Sequence, residues 1–140
     1  MEILEIKEVT YNGSQEFIHQ VRKRVFVVEQ KVPPELEFDE TDPVSVHVLA
    51  FVNAKPVATG RISPDGKIGR MAVLKNFRKK GIGLKILLRL IDIGRRRGLN
   101  KIYLSAQRHA IPFYEKAGFT ARGPVYAEAG IDHRLMIMSG

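Results

Sequence analysis

"FRKKGIGLKILLRLI", residues 77–91, sets two glycines between a group of cations and the first turns of an amphipathic helix. Glycine is about 1 kcal/mol worse than alanine inside a helix, so a helix that opens on Gly81 and Gly83 gives up stability and needs a reason. A strand-like segment, "KIGRMAVL" (67–74), comes just before. The order is therefore strand, loop, helix N-terminus, where unpaired N–H groups and the positive end of the helix dipole face an incoming anion. Glycine lets such a backbone approach a phosphate without a Cβ in the way. The other reading is an ordinary strand-to-helix turn whose glycines serve packing. Neither GxxxxGK[ST] nor GxGxxG is present, so nucleotide hydrolysis and hydride transfer lose support.

Outward from this stretch, the helix places Ile82, Ile86, Leu87, Leu90, Ile91 and Ile93 on one face and Lys85, Arg89, Asp92 and Arg96 on the other, so one side packs on a sheet. Gly98 ends it. "KIYLSA" (101–106) is the next strand, and the helix between makes it parallel to 67–74 through a right-handed crossover. Upstream, "VSVHVLAFV", "VATGRI" and "KIGRMAVL", divided by the turns "NAKP" and "SPDG", form an antiparallel meander. Residues 3–9 read as a strand, and "SQEFIHQVRKRVFVVEQ" as a helix capped by Ser14 and stopped by Pro33 and Pro34. Downstream, "AIPFYEKAGF" gives a short helix closed by Gly118, and two strands follow, around 119–126 and 133–138. The expectation is one α+β domain over residues 1–140, with a mixed sheet of about seven strands and three or four helices.

A chain of 140 residues with 44% hydrophobic and 27% charged residues can bury a core without staples. It has no cysteine, which excludes disulfides, thiolate metal sites and a cysteine nucleophile; no metal is expected. No apolar run approaches the roughly 20 residues of a membrane span and no secretory signal opens the chain, so a cytoplasmic location is the expectation. The net charge of +8 favours a polyanionic partner. Its distribution is uneven: between Lys75 and Arg97 the only acid is Asp92, whereas "PPELEFDETD" (33–42) holds five acids and no cation. One region invites phosphates and the other could attract an amine.

Two motifs carry a resemblance. "RKKGIG" (78–83) is similar to the RxxGxG loop of the GNAT superfamily of N-acetyltransferases, and "AIPFYEKAGF" (110–119) to the AxxFYxKxGF helix of the same superfamily. "RVFVVEQKVP", "ExExDxxD", "AQRHA" and "GIDH" resemble its bacterial ElaA/YjcF-like branch, so the likeness spans nearly the whole chain. The resemblance implies the GNAT acyl-CoA N-acyltransferase fold, with the central parallel pair splayed to admit acetyl-CoA. It implies a pyrophosphate on the backbone of Arg78, Lys79, Lys80, Gly81, Ile82 and Gly83, beside Leu84. It also implies a pantetheine arm along Met71, Ala72 and Val73, with Gln107, Ala110, Phe113 and Tyr114 close by. Gln107 stands where many relatives carry asparagine.

Amide formation from a thioester needs a neutral amine, donors for the oxyanion and an acid for the leaving thiolate. Without cysteine there is no cysteinyl acyl-enzyme, and direct attack in a ternary complex is the economical route. By resemblance Tyr114 is the acid; from helix spacing alone it reads as a core aromatic beside Phe113. A backbone N–H near Met71 or Ala72 is the expected oxyanion donor. "KIGRMAV" lacks the glutamate that several relatives use as general base. Histidine, with an ordinary pKa of about 6.5, is the suitable alternative. His19 and His109 read as structural or surface groups, leaving His133 as the catalytic candidate and His47 as a candidate for binding substrate, each also readable as structural. Glu29, Glu37 and Asp39 are weaker candidates, and water could carry the proton. Arg61 and Arg70 face the site from neighbouring strands, either to bind a substrate carboxylate or to pair with the acids at 35–42. The expected partner is a small-molecule amine, with no nucleic acid and no membrane, since neither an aromatic strand platform nor a recognition helix is legible. Monomer and homodimer both stay open, and a non-catalytic acyl-CoA-binding sensor is the alternative function.

Overall fold

The computed structural model describes residues 2–138. Its elements are β1 (Leu4–Thr10), α1 (Tyr11–Arg22), the one-turn α2 (Pro34–Glu37), β2 (Val46–Val52), β3 (Lys55–Ile62), β4 (Lys67–Val73), α3 (Ile82–Arg96), β5 (Tyr103–Gln107), α4 (Ile111–Lys116), β6 (Phe119–Glu128) and β7 (Ile131–Met138). The strands form one sheet in the order β1-β2-β3-β4-β5-β7-β6. Among the described residues only β4 and β5 are parallel; the other pairs are antiparallel.

Strand alternation divides the core into two layers. Val48 and Ala50 of β2 meet Ile86, Leu87 and Leu90 of α3 on one face, while the intervening Leu49 meets Ile18 of α1 on the other. Val21 and Val25 continue that second layer onto Ala72 of β4. The first helix begins differently from the sequence expectation. Thr10 caps it, accepting a hydrogen bond from the Gly13 amide at 3.1 Å, and Ser14 sits at a kink with φ −136°. Beyond Arg22 the backbone widens into a π-helical segment, Lys23–Glu29, whose register shows in the Gln30 amide bonding to the Val25 carbonyl at 2.9 Å.

Two irregularities in β4 shape the rest. Thr59 pairs with Ala72 and Arg61 with Gly69, so Gly60 alone faces both Arg70 and Met71. This is a β-bulge, and Arg70 takes a positive φ of 50° to make it. On the other edge, β4 pairs with β5 only at Lys67 with Tyr103 and Ile68 with Leu104. From Gly69 onward that edge has no neighbouring strand among the described residues, and the sheet opens into a V. Gly60 is fixed by packing: a Cβ there would lie 2.8 Å from Leu90 Cδ1, 2.9 Å from Ile86 Cγ2 and 3.2 Å from Met71 Cγ. Gly60→Ala is therefore expected to lose about 1–3 kcal/mol in a urea melt through overpacking beneath the bulge.

Candidate active site

The V opens into a cavity of about 1210 Å³, larger than the roughly 300–1,000 Å³ of common ligand pockets. One end is the glycine loop. Gly81 takes φ +81° and caps α3 without any side-chain hydrogen bond, and the first helical bond to a loop carbonyl runs from the Lys85 amide to Gly81 at 3.1 Å. The amides of Ile82, Gly83 and Leu84 are thus the helix's open donors. Lys79 also has a positive φ of 64°, the kind of turn that gathers N–H groups into an anion nest. A Cβ on Gly81 would meet nothing within 4 Å, and one on Gly83 would make ordinary contacts at 3.5 Å to Val73 and 3.9 Å to Phe113. Internal packing does not require bare backbone here, and an anion would. These groups fit the diphosphate of coenzyme A, and the unpaired β4 edge fits an extended amide-bearing arm.

The expected side chains divide. Arg78, Lys79, Gly81, Gly83, Leu84, Met71, Ala72 and Val73 line the cavity, as do Gln107, Ala110, Phe113 and Tyr114. The Ile82 side chain is buried in the core, leaving only its backbone for a ligand. Lys80 does not line the cavity; its ammonium approaches Glu2 at 3.9 Å and the Phe77 ring. Arg78 forms a bidentate pair with Glu29, both contacts at 2.6 Å, and its Nε donates to the Val73 carbonyl at 2.8 Å. Glu29 is thereby tied to the glycine loop, and Arg78 bridges the π-helical segment and the β4 edge.

Tyr114 reaches from α4 across the opening. Its ring packs edge-on against Phe113 and Phe119, and its hydroxyl lies 3.9 Å from Met71 Sδ on β4. Burial alone pushes this phenol up to about 12, so it holds its proton at any ordinary pH. His133, from β7, also lines the cavity and is 7% exposed. Its Nδ1 lies 2.7 Å from the Ile131 carbonyl, which can only accept, so Nδ1 carries hydrogen and Nε2 is left to accept a proton. Nε2 lies 3.6 Å from Glu128. Ser105 bonds to the Tyr126 hydroxyl and, at 3.3 Å, to Glu128.

Several acidic and basic candidates pair with one another. Arg22, fully buried, binds Glu37 Oε1 at 2.7 Å and Asp42 through both terminal nitrogens at 2.7 and 3.1 Å. Arg61 binds Asp39 at 2.7 and 3.0 Å and Asp42 at 2.6 Å. Arg70 donates to the Glu37 carbonyl at 2.9 Å and to Asp39 at 3.2 Å. Of the two roles open to Arg61 and Arg70, pairing with the acids at 35–42 is the one observed. Burial works against ionisation of Asp39, but the hydrogen bonds and charge of Arg61, with Arg70, outweigh it and hold the carboxyl at about 2. Asp39 is therefore held ionised. His47 is 1% exposed and bonded to the Asp42 carbonyl at 2.9 Å. It is not among the described residues that line the cavity; burial pushes its imidazole down, toward the neutral form.

Gln30, Tyr103 and Ser105 were not singled out from the sequence. Gln30 accepts from Gln107 Nε2 at 2.9 Å, joining the π-helical segment to β5. Tyr103, Ser105 and Gln107 alternate along β5 and so share one face, with side-chain partners Asp65, Glu128 and Gln30. The polar alternation in "YLSAQ" was the available signal.

Residues 6–139 match the family model described as an acetyltransferase (GNAT) domain. The chain is 38% identical over 121 residues to an uncharacterized N-acetyltransferase, YjcF, of Bacillus subtilis, covering 84% of this chain and 86% of that protein. The crystal structure of an acyl-CoA N-acyltransferase from Pseudomonas aeruginosa superposes with TM-score 0.83 at 30% identity, over 99% of this chain and 100% of that one. That of Escherichia coli ElaA gives 0.87 at 27% identity, over 98% and 100%.

Proposed function

This chain belongs to the GNAT acetyltransferase family, and from that membership we propose that it transfers an acetyl group from acetyl-CoA to the primary amine of a small molecule by direct attack in a ternary complex. The observation that carries the reading is the splayed β4 edge, flanked by open amides at the start of α3 and by the Tyr114 hydroxyl. The donor supplies an activated acyl carbon on a thiol leaving group. The loop amides and the edge of β4 hold and aim it. A backbone N–H near Met71 or Ala72 stabilises negative charge growing on the carbonyl oxygen. The nitrogen–carbon bond forms as the carbon–sulfur bond breaks; Tyr114 gives its proton to sulfur, and Nε2 of His133 receives the one shed by nitrogen.

His133→Gln keeps the size and one hydrogen-bonding end but accepts no proton, and is expected to lower kcat by about a hundredfold with little change in donor KM. The measurement is thiol release with acetyl-CoA and a panel of amines. Binding of coenzyme A with no turnover on any amine would favour the sensor alternative, and unchanged turnover in the variant would remove His133 from the reaction.

A further inference from the structure

The end of the π-helical segment is fastened to both arms of the V. Glu29 takes the two terminal nitrogens of Arg78, in the loop that follows β4, at 2.6 Å each, and the next residue, Gln30, accepts from Gln107 at the end of β5 at 2.9 Å. Widened turns of this kind are common at functional sites. Arg78 in turn covers the β4 edge. The Leu74 amide bonds to the Val57 carbonyl on the β3 side at 2.9 Å, so by strand alternation the polar groups of Val73 point the other way, to the edge that β5 leaves unpaired. There the Val73 carbonyl is taken by Arg78 Nε at 2.8 Å. An extended amide-bearing arm would use that same carbonyl, and a diphosphate on the loop would draw that same guanidinium. Among the described residues, the lysines and arginines that line the cavity are Arg61, Lys67, Arg70, Arg78 and Lys79. Arg61 and Arg70 are bound to Asp39, and Lys67 stands at the start of β4. That leaves Arg78 and Lys79 at the glycine loop, and the charge of Arg78 is answered by Glu29, whose carboxyl the arginine's hydrogen bonds hold below the usual range.

We propose that the Arg78–Glu29 pair is an autoinhibitory latch on the donor channel: it covers the free edge of β4, and the coenzyme's diphosphate displaces Glu29 from Arg78 as the donor enters. Glu29 is then a competitor of the coenzyme, and its negative charge lowers donor affinity. The proposal rests on the transfer reading above only for the identity of the donor. The opposite role, in which Glu29 aims Arg78 at the phosphates, predicts the opposite sign.

The test is calorimetric titration of the full chain with coenzyme A. Glu29→Gln keeps the shape but not the charge, and is expected to tighten coenzyme binding about three- to fivefold, the upper end for one partly exposed ion pair because the contact is bidentate. The gain should shrink as salt is raised. Both side chains are more than a third exposed, so neither substitution empties the core. Arg78→Gln should weaken binding, and adding Glu29→Gln to it should bring no further gain, since no latch is left to open. Binding that Glu29→Gln leaves unchanged or weakens overturns the latch, as does an equal gain in the Arg78→Gln background, which would mark a general relief of negative charge. Coenzyme A that binds the wild type without any gain in the variant sinks only this proposal, whereas no heat from any of the four proteins sinks the transfer reading with it.

Discussion

Arg22→Met is expected to cost about 3–5 kcal/mol of folding stability, the loss seen when one partner of a buried ion pair is removed. Arg22 is fully buried and both of its acids, Glu37 and Asp42, are buried with it. The substitution leaves them facing only Arg61 and Arg70, with four hydrogen bonds missing. Domains of this size carry roughly 5–15 kcal/mol in total, so about a fifth or more of the stability is at stake. Chemical denaturation measures it, and a loss below about 1 kcal/mol would show that the cluster is not what pins residues 34–45 to the sheet. The same cluster sets the acid limit. Asp39 has its carboxyl lowered to about 2 from an ordinary 3.8, so its contribution is fully present above 3.8 and disappears as pH falls through 2. A fall in melting temperature over that interval is the expected signature.

Tyr114→Phe should lower kcat by about a hundredfold or more while leaving KM for the donor nearly unchanged, because only the proton for the departing sulfur is lost. The hydroxyl has one weak contact, with Met71 Sδ, so the variant should fold as well as the parent. A second readout is alkaline stability. Burial raises the phenol from 10 to about 12, so the folded form keeps a proton that the unfolded chain gives up. Its contribution is whole below pH 10 and is lost between 10 and about 12, amounting to about 2–3 kcal/mol. The phenylalanine variant should lack that component of the alkaline decline. Turnover equal to the wild type would exclude Tyr114 as the acid.

Much of this architecture is legible locally. The amphipathic period of α3, the two short turns of the meander and the helix-separated strand after it each depend on neighbours a few residues away, and each appears where the pattern puts it. The glycine loop is legible for the same reason, since a left-handed Gly81 and an uncapped helix start are properties of a few adjacent residues. The start of α1 misleads because Thr10 and Ser14 are both competent caps, and the end of β1 decides between them. The role of Arg22 was hidden because nothing in a helix of mixed charge marks one cation as the buried one.

By itself the sequence determined the order of elements, the absence of cysteine and the place where a helix opens on bare amides, because periodicity, composition and glycine placement act over short stretches of chain. Only the tertiary structure decided which charges are spent on holding the fold and which face the cavity. Ion pairing depends on distances across 15 to 49 residues of chain, as in Arg22 with Glu37 and Arg78 with Glu29, and no local pattern carries that information.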